Sequence, residues 1–111
     1  MSIETTILVE DAADVTSGEV FSAPKKGSGH HLQDGLHTYV YQVEAFVGTI
    51  KLQATLKLYP GEADWFDVKD TDFASDGSTL AQSNNFLGNF VWIRAAYRIA
   101  SGTIRQIRFN F

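Results

Sequence analysis

Wherever hydrophobic and polar positions show a period along this chain, the period is two. Thr49 to Tyr59 (TIKLQATLKLY) is the cleanest such run. Ile50, Leu52, Ala54, Leu56 and Leu58 fall on one side; Lys51, Gln53, Thr55, Lys57 and Tyr59 fall on the other. That spacing predicts a strand with one face on a core and one in water, and it lacks the three-and-four spacing of a helix. Leu36 to Val47 (LHTYVYQVEAFV) predicts another strand, with Tyr39, Tyr41, Val43, Ala45 and Val47 on one face and Thr38, Gln42 and Glu44 on the other. Gly48, between the two runs, predicts a tight antiparallel connection.

The last stretch, Gly88 to Phe111 (GNFVWIRAAYRIASGTIRQIRFNF), is the one the rest is expected to organise around. Its aromatic and β-branched residues suit a pleated, buried surface. Ala100-Ser101-Gly102 interrupts it, so it reads as a hairpin of two arms. Val91, Ile93, Ala95, Tyr97 and Ile99 share one parity, and Phe90 and Trp92 share the other with Arg94 and Arg98. Apolar residues on both faces predict a central strand with Trp92 in the core. In the second arm Ile107, Phe109 and Phe111 share a parity that Ile104 does not, which predicts a bulge near Arg105. A chain that stops on an aromatic residue inside a strand is expected to be tied down there.

The remaining segments are weaker. Thr5–Val9 and Val15–Ser22 read as short strands, with Gly18 as a bulge. Ala23 to Gly35 (APKKGSGHHLQDG) reads as a mobile loop. Pro60-Gly61 marks a turn, Glu62–Val68 sets Trp65 and Phe66 in acidic surroundings, and Lys69–Asn85 reads as a loop or a short strand with a long excursion. Ala74–Gln82 has room for one helical turn. Six or seven short strands with turn signals between them predict an all-β fold: a single antiparallel β-sandwich, jelly-roll-like, with residues 1–111 as one domain.

Composition narrows the function classes. A chain of 111 residues can bury about 65% of its unfolded surface, enough for a core without staples. It has no cysteine, so neither disulfides nor thiolate chemistry are available. A net charge of −4 argues against nucleic acid as a partner. Four of the nine basic residues, Arg94, Arg98, Arg105 and Arg108, lie in the last stretch. They read mainly as solvated sheet edges, or more sharply as a surface for a protein or an anionic glycan. No apolar run is long enough for a membrane span, so no membrane partner is expected. Met1-Ser2-Ile3-Glu4 has no secretory character, so export is expected by assembly or lysis.

For chemistry, His30, His31 and His37 with Asp34 could suit zinc or nickel. Two of these histidines are neighbours in a Gly/Ser loop and would point apart, so they read as loop histidines and no metal is expected. Asp64, Asp67, Asp70, Asp72 and Asp76 offer oxygen atoms for calcium but lack the spacing and distal glutamate of an EF-hand, and read as turn residues. Glu44, Asp64 and Asp67 are the carboxylates a glycoside hydrolase would need to converge. With no nucleophile elbow and no phosphate-cradling loop, no catalytic residue, no cofactor and no enzyme are expected. Trp65, Trp92, Tyr39, Tyr41 and Tyr97 could stack on sugar rings, although aromatics in strands usually pack a core. Trp65, between acidic residues, is the candidate for an exposed contact, with Arg94, Arg98 and Arg108 as the basic candidates.

Residues 36–111 also carry a resemblance. GTIKLQATL, then DWFDV, then GNFVWIRAAYRIASGTIRQIRFN resembles small β-sandwich structural proteins of tailed bacteriophages, notably those of marine bacteria. The resemblance implies a non-enzymatic virion component in a capsid decoration, neck, tail or fibre. Such a component would be assembled in the host cytoplasm and carried on the particle. Its partners would be other virion proteins or itself, as a homo-oligomer. The alternative is a carbohydrate-binding β-sandwich that recognises host-surface glycan. The first 35 residues share nothing with this pattern.

Overall fold

Two strands of about twenty residues hold the protein together. The computed structural model describes residues 6–27 and 35–110. β4 (Leu36–Thr55) and β7 (Trp92–Asn110) pair antiparallel from Thr38 opposite Asn110 to Thr55 opposite Trp92. On the far side of β7 lie three pieces in succession: β1 (Thr6–Ala12), β2 (Val20–Phe21) and β3 (Lys25–Lys26). On the far side of β4 lie β6 (Phe73–Leu87) and β5 (Phe66–Asp67). All seven strands form one antiparallel sheet. The class is therefore the all-β, antiparallel one expected; the hydrogen bonds define one sheet and do not themselves draw a two-layer jelly roll.

The two expected hairpins are one continuous ribbon. Gly48 and Gly102 mark bulges, because both sit where the other strand comes too close for a side chain. A Cβ on Gly102, whose φ is +79°, would lie 2.0 Å from the Ala45 carbonyl oxygen. A Cβ on Gly48 would lie 2.0 Å from that of Arg98. The register slips between Gln42 and Val43, Glu44 and Val47, and Val47 and Gly48. Twenty residues of straight strand would span about 66 Å, whereas the longest dimension of the molecule is 38 Å. The ribbon therefore bends, and bulges are the device that bends strands. The first slip sets Gln106 opposite Gln42 and Ile104 opposite Val43, which leaves Arg105 as the extra residue, as the parity of Ile104 predicted.

The core lies on the concave side of this bend. Tyr39, Tyr41 and Val43 precede it on β4, and Ile50, Leu52 and Ala54 follow it. Within it the parity changes, so Phe46 is buried and Ala45 is exposed, the reverse of the simple alternation. β7 adds Ile93, Ala95, Ile99, Ile104, Ile107 and Phe109. Each buried Val, Leu, Ile or Phe among them contributes about 1.5–3 kcal/mol. The loop before β6 fastens the two halves. Buried Thr71 accepts the Leu52 N–H at 3.1 Å and donates its hydroxyl to the Val68 carbonyl at 2.8 Å, while its own carbonyl accepts the Tyr41 hydroxyl at 2.8 Å. Burial pushes the Tyr41 phenol above its ordinary pKa.

Rings close the open side. His37 stacks on Phe86 at 4.5 Å, Phe86 meets Phe90 at 6.0 Å, and Phe90 meets Phe66 at 5.6 Å. Phe66 pairs with Ala54, so the two ends of β4 lie against one aromatic cluster. His37, second residue of the strand expected from Leu36, is fully buried with Nδ1 at 2.9 Å from the Gly35 carbonyl.

Other expectations change as well. The strand predicted to Tyr59 ends at Thr55, the last residue facing β7, and the Lys57 N–H turns back to the Thr55 hydroxyl at 3.2 Å. Leu56 and Leu58 are consequently exposed, at 65% and 52%. Trp92, expected in the core, is half-buried. The loop expected from Ala23 is held at its start: Lys25 and Lys26 pair with Ile93 and Trp92, and the Gly27 N–H donates to the Val91 carbonyl at 2.9 Å. Its remainder, with His30, His31 and Asp34, lies outside the described residues, as does Phe111. Lys69–Asn85, read as a loop or a short strand with a long excursion, contains most of the fifteen-residue β6.

Candidate functional site

Beyond the bend, the outer face of the ribbon carries Arg94 on β7 directly opposite Gln53 on β4. Phe21 on β2 and Trp65, just after a 3-10 turn (Glu62–Asp64), cover this arginine. Its guanidinium carbon lies 4.0 Å from the Phe21 ring centre and 4.3 Å from that of Trp65. Only 7% of the Arg94 side chain is exposed. A planar cation between two ring faces is a favourable arrangement. Arg94 Nε donates to Gln53 Oε1 at 2.9 Å, and its Nη2 lies 3.5 Å from Oε2 of the exposed Glu62.

The surroundings hold this group still. Gln53 Nε2 donates to Asp67 Oδ1 at 2.9 Å, and Lys51 Nζ reaches Asp67 Oδ2 at 3.1 Å. The Gln53 hydrogen bond, aided by Lys51, holds the Asp67 carboxyl below its ordinary pKa. Partial burial works against the Lys51 charge, yet Asp67 and Glu19 hold its pKa above the ordinary value. Trp65 is aimed by the turn before it. Asp64 Oδ2 accepts the Gly61 N–H at 2.8 Å, and Lys57 Nζ lies 3.0 Å from Asp64 Oδ1. Those contacts, the Gly61 N–H foremost, lower the Asp64 pKa.

Beside Trp65 opens a pocket of about 620 Å³, lined by Pro24, Leu58, Tyr59, Pro60, Glu62, Trp65, Trp92 and Arg94. Trp92 is fixed there by its indole Nε1, which donates to the Leu58 carbonyl at 2.9 Å. Tyr59 is 89% exposed, an aromatic ring left almost entirely in water. Three separate chain segments thus deliver apolar rings and prolines, with one guanidinium and one carboxylate, to a single concavity. That composition matches small-molecule sites, which are mostly apolar with a few placed polar groups.

Of the four residues singled out from the sequence, Trp65 and Arg94 meet at this pocket. Arg98 and Arg108 do not. Arg98 is exposed on β7 opposite Thr49, and Arg108 is exposed opposite Val40, beside Ser83 and Asn110 at the other end of the ribbon. Arg105 is engaged by the chain's own acids, 2.6 Å from Glu44 and 3.3 Å from Asp11, and Glu44 foremost raises its pKa. Tyr59 and Glu62 were missed as members of the site, and Trp92, weighed as a stacking ring, was assigned to the core instead. The usable signal was the shared parity of Trp92 and Arg94, which puts an aromatic and a cation on one outer face.

The three carboxylates considered for hydrolysis have separate duties: Glu44 pairs with Arg105, Asp64 caps the turn and Asp67 binds Gln53 and Lys51. Among the described residues no three His, Cys, Asp or Glu side chains gather as a metal site would need, and no helix is long and apolar enough to cross a membrane. Comparison with protein-family models, curated proteins and solved structures finds no match. The phage resemblance therefore rests on its residues alone.

Proposed function

We propose that this protein is a non-enzymatic binding module of a phage virion, and that its Trp65 pocket takes one sugar ring of a host-surface glycan. The observation that supports the reading is the convergence of Tyr59, Trp65 and Trp92 with the Arg94–Glu62 pair in one concavity. The C–H faces of a sugar ring pack on aromatic faces, while hydroxyls take hydrogen bonds from a guanidinium and give them to a carboxylate. Arg94 is already held between two rings and by Gln53, so binding would cost little of its side-chain entropy. The companion reading, a particle component that works by docking on virion proteins, is favoured by the long open edge of β6.

Titration with a panel of neutral and acidic oligosaccharides, read by tryptophan emission and calorimetry, tests the pocket. At least one glycan should bind, and Tyr59→Ala should weaken it about tenfold or more with an unchanged melting midpoint. A panel without a binder, or equal affinity in Tyr59→Ala, overturns the assignment.

A further inference from the structure

β6 pairs with β4 on one side, and among the described residues no strand pairs with its other side. From Leu80 to Leu87 it runs opposite β4 from Val43 to Leu36 without a break in register. From Gly77 to Leu87 it contains no charged residue and no proline. Thr79 through Asn85 are all exposed, so among the described residues nothing covers this length. The direction of its outward groups can be read at one point. The Asn85 N–H bonds to the Asn84 side chain at 2.8 Å, so it points away from β4. In an antiparallel ladder alternate residues turn their main-chain groups the same way, which places those of Ser83, Ala81 and Thr79 on the open side.

We propose that this edge is a self-association surface: β6 of one copy adds to β6 of a second, antiparallel about a two-fold axis, and joins two sheets into one. The occupant is a second copy because the segment suits itself. Centred on Gln82, the pairing sets Ala81 opposite Ser83 and Thr79 opposite Asn85, so outward groups meet outward groups. The chain carries a net −4, so two copies repel on balance, but this segment brings none of that charge. Asp76 would fall beyond Leu87 of the other copy, so no acid meets an acid. A two-fold interface requires such self-complementarity. The edge lies apart from the Trp65 pocket, and the inference does not depend on the sugar reading.

Sedimentation of the full chain over a concentration series tests it, beside Ser83→Pro and Ala81→Lys. Ser83→Pro removes one outward donor, which edge strands tolerate in the folded chain; Ala81→Lys sets like charges close across the axis. The native chain should dimerise with rising concentration, and both variants should stay monomeric with melting midpoints near the native one. Hydrogen exchange on the native chain supplies a readout free of variants: the Thr79, Ala81 and Ser83 amides should slow as concentration rises. A native chain that is monomeric up to about 1 mM, a dimer that persists in both variants, or exchange at those amides independent of concentration overturns the proposal.

Discussion

The two outer edges of the sheet solve the same problem in opposite ways. Beyond β7 the edge is broken into β1, β2 and β3, of which the last two have only two residues each. β1 bulges at Leu8, between Ile7 opposite Arg108 and Val9 opposite Ile107, and it carries Glu10 and Asp11. Asp11, still within the strand, has a φ of +50°. Pro24 precedes the paired lysines of β3. Short pieces, charges, proline and bulges are the devices that stop a further strand from adding. Beyond β4, the regular part of β6 has none of them. The difference teaches that one edge is closed as a boundary while the other is left able to extend the sheet.

Cores beneath the two edges differ too, and that comparison can be broken by truncation. Phe86 is the one buried side chain of β6, and it stacks between His37 and Phe90. Phe86→Ala should cost about 3–5 kcal/mol, while Leu8→Ala on β1 should cost about 2–5 kcal/mol, nearer the low end because Val9 beside it is buried as well. Urea melts give both values, and a smaller loss for Phe86→Ala would mean that β6 is held by its ladder and not by its ring.

A finer test separates the two sides of β6 itself. Gln82→Pro should remove a donor to β4 and leave a buried carbonyl without its partner, at about 1–3 kcal/mol. Ser83→Pro should cost under about 1 kcal/mol, since its N–H faces outward. Thermal melts of the two at low concentration, where the chain is a monomer, decide it. Equal costs would reverse the assigned direction of the strand.

The smallest effect lies in the charged contacts beside β5. The folded-state pKa of Asp67 is below its ordinary value, so its contribution is present above about pH 4 and is lost as pH falls through the lowered value. The melting midpoint should show a modest step in that range, and Asp67→Asn should remove the step. A native profile identical to that of the variant would show that the Gln53 and Lys51 contacts do not stabilise the fold.

Much of the interior was legible in the alternation. Tyr39, Tyr41, Val43, Ile50, Leu52, Ala54, Ile107 and Phe109 are buried as the period of two required, and the parity of Ile104 revealed the bulge at Arg105. A strand with one wet face must alternate, so the pattern carries the face directly. β6 escaped this reading because from Thr79 to Asn85 both its faces and one edge are in water, and a stretch without a dry face has no period to show. Leu56 and Leu58 misled for the converse reason: the alternation runs on past Thr55, after the partner strand has ended.

What the amino-acid sequence determined by itself was the β class, the inward faces of residues 39–43 and 50–54, and the residue types from which the pocket is built. Only the tertiary structure decided that Gly48 and Gly102 are bulges within a bent ribbon and not turns of hairpins. A glycine relieves a close backbone approach in either setting, and which one arises depends on the strand that comes alongside. The same holds for the pocket. Trp65 and Arg94 were visible as chemistry, but their meeting depended on a ribbon of two strands carrying residues 21, 53, 65 and 94 to one place. Local spacing cannot encode contacts between segments dozens of residues apart; the register of the sheet creates them.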